Sequence, residues 1–353
     1  MGDLLDKDYL LSLGEIDPEL KAFLEKANLP PTNYDNLDDF KLLVEKRNAA
    51  AMEALGPSPP EIKTTEVQYP ADDGTLLRAK LYQPTTPPQN GSPLVVLFHG
   101  GGFCIGAPEG EEQTARNLVQ AYGVVAISAS YRLAPEFKFP YAPKDAWAAL
   151  RWAAANAKSW GADPSAGFVV GGTSAGGNIS AVLAHVARDE KLSPPLTGQY
   201  LAIPAVLPQG KAPEKYKKYL FSYEQNKDAP VLPAAAVDMF MRGYQADDDD
   251  DIWYATFNHR KGHVGLPAAF FQIDGMDVLR DEAIVYERVL REENGIKTKK
   301  FLYPGLPHGH WGFFPFLESS KKFRKEQVEG FGWLLGREPD WTNVKTAAVS
   351  AGV

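Results

Sequence analysis

A serine flanked by glycines, Gly172-Thr173-Ser174-Ala175-Gly176, directly follows the apolar run Gly167-Phe168-Val169-Val170-Gly171. Asn178-Ile179-Ser180-Ala181-Val182-Leu183-Ala184-His185-Val186 comes next and reads as a helix. Strand, tight turn of small residues, then helix is the setting in which a G-x-S-x-G match presents a serine hydroxyl for nucleophilic attack. Gly172 and Gly176 let the chain pass close to itself where side chains would obstruct the turn. Serine is a weak nucleophile near neutral pH, so it needs a base within hydrogen-bond reach and an acid to orient that base. Acyl transfer also needs preorganised donors for a tetrahedral oxyanion. His99-Gly100-Gly101-Gly102-Phe103, about seventy residues upstream, can supply them from the N–H groups of Gly101 and Gly102, with Ala175 as the third. Of six histidines, His99 belongs to that turn, His185 to the helix after the serine, and His259 and His263 to a later irregular stretch. His308 and His310 share Pro304-Gly305-Leu306-Pro307-His308-Gly309-His310, and spacing alone does not separate them. Candidate acids are Asp274, Asp277 and Asp281.

The elements around these residues carry a clear pattern. The first sixty residues read as helical. Leu20, Phe23 and Leu24 recur at helical spacing after Asp17-Pro18, and a segment over 37–55 carries Phe40, Leu43, Val44 and Arg47. Gly56-Pro57-Ser58-Pro59-Pro60 ends it. Strand-like runs at 61–69 and 76–82 flank a hairpin signal, Asp72-Asp73-Gly74. Strands at 94–98, 124–130 and 168–170 then alternate with helices near 111–122 and 143–157. The rhythm returns with strands at 268–273 and 299–303 and helices near 281–293 and 322–335. Continuous apolar strands separated by helices predict an α/β fold, a mostly parallel central sheet flanked by helices. Between 204 and 265 the rhythm is lost, and Tyr216, Tyr219, Phe221, Tyr223, Phe240, Tyr244, Trp253, Tyr254 and Phe257 appear among charges and prolines. This stretch predicts a mainly helical cap over the sheet's C-terminal edge, most of its rings packing its own core and a minority facing a pocket. The organisation expected is an N-terminal helical part of the cap (1–60), a catalytic domain in two pieces (61–203 and 266–340), the cap insertion (204–265) and a tail (341–353). The acidic run 247–251 reads as a solvated loop, since no spaced ligand pattern accompanies it.

In such sheets the base arrives on the loop after the last strand and the acid on the loop after the preceding one. His308 is then the base and His310 the runner-up. Asp277, in mid-loop, fits best as the acid, whereas Asp274 lies at the strand end and Asp281 reads as a helix-start residue. The chain resembles the hormone-sensitive-lipase-like family of carboxylesterases, the α/β-hydrolase branch with an HGGG oxyanion turn. Four stretches carry the resemblance: His99 to Phe103, Gly172 to Asn178, Tyr131-Arg132-Leu133-Ala134-Pro135-Glu136 with Phe139-Pro140 and Asp145, and Asp277-Val278-Leu279-Arg280-Asp281-Glu282. It spans roughly 62–335, with the cap dissimilar. The resemblance implies Ser174 as nucleophile, Asp277 and His308 as its partners, an oxyanion hole from Gly101, Gly102 and Ala175, and a cap built from the N-terminal helices and the insertion. Where the family usually has Phe after the catalytic His-Gly, this chain has His310, which is expected to tune His308, contact substrate or, by preference, sit at the surface.

A net charge of −8 argues against nucleic acid and anionic membrane partners. No run approaches the roughly 18 apolar residues of a membrane span. Cys104 is alone, so no intramolecular disulfide forms. With an acidic start that lacks the build of a signal peptide, a cytoplasmic location is expected. The expected function is a serine carboxylesterase acting on short- to medium-chain or small hydrophobic esters, with no cofactor and no metal. Its partner is the small-molecule ester, and self-association common in the family allows a homodimer. The competing readings are a small-molecule-binding relative, disfavoured because all three triad positions are filled, and an acyltransferase or amidase using the same residues.

Overall fold

The computed structural model describes residues 6–27, 34–207, 210–246 and 253–345. The acidic run 247–251 lies outside them. Eight strands form one sheet in the order β1-β2-β4-β3-β5-β6-β7-β8. They are β1 (Ile62–Pro70), β2 (Leu76–Pro84), β3 (Leu94–Phe98), β4 (Val125–Ala129), β5 (Phe168–Thr173), β6 (Gly198–Ala202), β7 (Ala268–Met276) and β8 (Thr298–Pro307). β1 and β2 pair antiparallel, as does β2 with β4, and every pairing from β4 to β8 is parallel. All five residues of β3 and of β4 are buried, because helices cover both faces of the sheet.

The helices are α1 (Lys7–Ser12), α2 (Pro18–Leu24), α3 (Leu37–Leu55), α4 (Glu112–Tyr122), α5 (Tyr141–Asn156), α6 (Ala175–Asp189), α7 (Glu214–Lys217), α8 (Ser222–Gln225), α9 (Ala234–Tyr244), α10 (Arg280–Arg288), α11 (His310–Phe313) and α12 (Glu318–Leu335). Asp17 caps α2 by accepting from the N–H groups of Glu19 and Leu20, with Pro18 at the first helical position. The connection between α1 and α2 crosses the ends of β7 and β8. Gly305 N–H donates to the Leu13 carbonyl at 2.7 Å, and Asp17 N–H to the Gly305 carbonyl at 3.0 Å. A Cβ at Gly275 would lie 2.2 Å from the Leu13 carbonyl oxygen, so the crossing admits only glycine there.

Three readings of the sequence are corrected. β6 went unread: Gly198-Gln199-Tyr200-Leu201-Ala202 mixes glycine and a buried glutamine into a strand that is wholly inside. β5 runs on past the expected 168–170 through Gly172, which the sequence reading assigned to the turn, to Thr173; glycine is tolerated at 172 because the Phe98 backbone approaches closely. Among the described residues, the rings of the insertion build no core of their own. Phe240, Tyr244 and Tyr254 join the cluster of Phe98 and Phe103, while Tyr216 and Phe257 join Leu10, Leu13 and Phe271. α7 and α8 are four residues each, too short to bury faces against one another.

Candidate active site

β5 ends at Thr173 and α6 begins at Ala175, so Ser174 makes the whole turn, at φ 56° and ψ −113°. A non-glycine residue in that region is strained, and the surroundings hold it there. Its N–H donates to the Ala202 carbonyl at 2.8 Å. A Cβ at Gly172 would lie 2.4 Å from the Phe98 carbonyl oxygen, and one at Gly176 only 1.9 Å from it. The G-x-S-x-G spacing is thus the footprint of β3 pressing against the turn. As the first residue of α6, Ala175 carries an N–H with no partner inside the helix, close to its positive end.

The glycine turn after β3 carries the other candidate donors. Gly101 and Gly102 take φ 118° and 57°. A Cβ at Gly101 would lie 2.2 Å from the Ile105 carbonyl oxygen, and one at Gly102 would enter the Phe240 ring at 2.3 Å. His99 anchors the turn: Nδ1 bonds the Gly100 carbonyl at 2.8 Å, and the ring stacks on Tyr131 at 4.3 Å. Burial lowers its pKa to about 4, so it stays neutral. The segment that follows is a clamp, Arg132 reaching Asp145 through its backbone N–H, Nε and Nη2 at 3.0, 2.8 and 2.6 Å.

The loops after β7 and β8 bring the acid and base candidates together. His308 Nε2 lies 2.9 Å from Ser174 Oγ, and His308 Nδ1 lies 2.7 Å from Asp277 Oδ2. Asp277 Oδ1 accepts from Leu279 N–H at 3.0 Å, which fixes the carboxylate plane. Asp274 serves another histidine. Its Oδ1 is 2.9 Å from His310 Nδ1 and its Oδ2 accepts from Gly309 N–H at 2.9 Å. His310 is fully buried, which corrects the expected surface position. Its ring packs against Tyr303, Trp311 and Phe323 under the loop that carries His308. Asp281 sits in the first turn of α10 but caps a different helix, accepting from the N–H groups of Phe221 and Ser222 at the head of α8.

Ser174 and His308 open onto a cavity of about 600 Å³, within the usual range of small-molecule sites. Gly101, Gly102 and Ala175 line it, as do Phe40 and Val44 of α3 and Phe240 of α9, whose ring abuts Gly102. Four ionisable residues at the site escaped the sequence reading, Asp238 of α9 on the cavity lining among them. Glu282 lines the cavity, accepts from Val206 and Leu207 N–H at 2.7 and 3.2 Å, and is pushed up to about 8 by burial. Arg47 lines it from α3. Glu111 accepts from Thr173 Oγ1 at 2.7 Å, beside the serine, and burial pushes its pKa up to about 7. Glu282 stood inside a quoted motif; Arg47 and Glu111 stood only in helical segments, with nothing in their spacing to mark them.

Glu111 gives a pH prediction. Its folded pKa of about 7 exceeds the ordinary 4.5, so its contribution to stability is full below pH 4.5 and is lost as pH rises toward 7. Glu111→Gln stays neutral and still accepts from Thr173. Its stability advantage over the parent is expected to grow by on the order of 2 kcal/mol between pH 4.5 and 7.5. Denaturant unfolding at both pH values checks this, and a constant difference would mean that Glu111 titrates normally.

Among the described residues no helix is long and apolar enough to cross a membrane. A family profile described as the α/β-hydrolase fold matches residues 95–312. An AB hydrolase superfamily protein of Schizosaccharomyces pombe is 35% identical over 325 residues, which cover 91% of this chain and 94% of its own. Carboxylesterase NlhH of Mycobacterium tuberculosis is 32% identical over 303 residues, covering 85% of this chain and 90% of its own. Among solved structures, vibralactone cyclase matches with a TM-score of 0.83 at 32% identity, over 92% of this chain and 96% of that one. An esterase of Pyrobaculum calidifontis matches with a TM-score of 0.77 at 29% identity, over 91% and 98%. Fold, motifs and relatives agree, and this chain belongs to the hormone-sensitive-lipase-like family of carboxylic ester hydrolases on the α/β-hydrolase fold.

Proposed function

We propose that this chain hydrolyses small, largely apolar carboxylic esters of short to medium chain length, with Ser174 as nucleophile, His308 as general base and Asp277 as the orienting acid. Ser174 Oγ attacks the ester carbonyl as His308 Nε2 takes its proton, and the tetrahedral oxyanion is met by the N–H groups of Gly101, Gly102 and Ala175. His308 returns the proton to the departing alkoxide. It then activates water to hydrolyse the acyl-enzyme, restoring the serine. The N-terminal helices and the insertion form the cap of the pocket in this reading.

The observation that carries the proposal is the continuous hydrogen-bonded chain Ser174–His308–Asp277, with links of 2.9 and 2.7 Å, at a cavity of about 600 Å³. The test is hydrolysis of p-nitrophenyl esters from acetate to palmitate. Turnover is expected to peak at short or medium acyl chains and to fall at least about tenfold by palmitate, which outgrows the cavity. Folded protein that turns over none of the series would set the reading aside.

A further inference from the structure

The face of α3 that meets the cavity consists of Phe40, Val44, Arg47 and Asn48, at helical spacing. Three of these suit an apolar or neutral ligand, and Arg47 does not. Its guanidinium lies over the Phe313 ring, Cζ 3.3 Å from the centroid. Phe313 both lines the cavity and is 37% exposed, so the pair marks the cavity rim.

Among the described residues Arg47 makes no ion pair and no hydrogen bond, and its Nη1 is shut off from solvent without an acceptor. Burial lowers its pKa to about 10, which leaves it cationic at neutral pH. The contact with the ring attracts the charge but satisfies none of its in-plane donors. Two acids also line the cavity, Asp238 and Glu282. Neither pairs with Arg47, and Glu282 is engaged by the Val206 and Leu207 N–H groups. A half-buried arginine with its Nη1 shut off from water and unmet is costly unless an acceptor arrives. A guanidinium fork matches a carboxylate in geometry as well as in charge.

We propose that Arg47 receives a carboxylate borne by the substrate, so that the preferred esters are hydrophobic hemiesters of dicarboxylic acids, with the free acid at the cavity rim and the ester carbonyl at Ser174. This rests on the esterase reading and narrows it to a substrate class. The carboxylate stays at the rim, where it keeps part of its hydration and the desolvation cost is small.

The experiment compares kcat/KM for mono-p-nitrophenyl esters of dicarboxylic acids with that for their methyl-capped neutral counterparts at pH 7.5, in the parent, Arg47→Met and Arg47→Lys. The parent is expected to prefer the charged members. Arg47→Met is expected to lower the charged-to-neutral ratio by about 10- to 100-fold, and Arg47→Lys to recover part of it. An unchanged ratio in Arg47→Met, with both substrate sets falling together, would leave Arg47 a brace between α3 and α11 and overturn the proposal. A second readout does not depend on turnover. In the Ser174→Ala background, calorimetric binding of a methyl hemiester is expected to weaken by a similar factor on adding Arg47→Met, and equal binding would overturn it too. Loss of all turnover in the parent, with calorimetry still showing the Arg47 effect, would strike the esterase reading alone.

Discussion

Ser174→Ala is expected to lower kcat/KM toward a p-nitrophenyl ester by roughly 10⁵- to 10⁶-fold, with a melting temperature within about 2 °C of the parent. The two halves of that result have separate causes. Ser174 Oγ makes a single hydrogen bond, to His308, so its removal costs the fold little. The turn is held by the Ser174 N–H on the Ala202 carbonyl and by the close approach of Phe98 to the flanking glycines, neither of which involves the hydroxyl. The residual rate should come from the oxyanion donors and binding alone. Activity near that of the parent would mean that another group attacks the ester.

His308→Ala is expected to cost a comparable factor in turnover, whereas His310→Ala should cost far less turnover and far more stability. His308 borders the cavity and reaches both Ser174 and Asp277. His310 is enclosed and touches no cavity surface, so it has no route to the reacting atoms. What it does hold is Asp274, whose carboxyl is already pushed upward by burial and only partly restored by His310. Deleting that partner leaves a buried acid with the Gly309 N–H alone, at a cost of about 1–3 kcal/mol. Because Asp274 also grips Gly309 N–H, some loosening of the His308 loop should follow, a loss in turnover of roughly tenfold. Steady-state kinetics and thermal unfolding on both variants separate the roles. A reversed ranking in turnover would transfer the base to His310.

Much of the sheet and most of the candidate site were legible because each depends on local pattern. Continuous apolar runs such as 94–98 mark strands buried on both faces, and glycines at 101, 102, 172 and 176 record where backbone comes too close for a side chain. β6 was not legible: Gly198 and Gln199 interrupt its apolar pattern, and Gln199 is buried because helices close over the sheet. His310 was misplaced for a similar reason. A histidine in a glycine-proline loop looks exposed until Asp274, 36 positions away in sequence, is seen to lie against it. The cavity wall was the least legible part. Whether Arg47 or the exposed Leu43 faces inward depends on how α3 rotates against α9, which no spacing within α3 dictates.

The crossing of residues 13–17 over Gly275 and Gly305 carries a consequence for biosynthesis. The backbone group that Leu13 binds at Gly305 leaves the ribosome roughly 290 residues after it. At ordinary elongation rates that is about 15–60 s. The serine turn, built from β3, β5 and α6, can take shape well before then. The crossing can brace the loops bearing Asp277 and His308 only once β8 has been made, so a nascent chain stalled before β8 holds Ser174 in its turn with no His308 beside it.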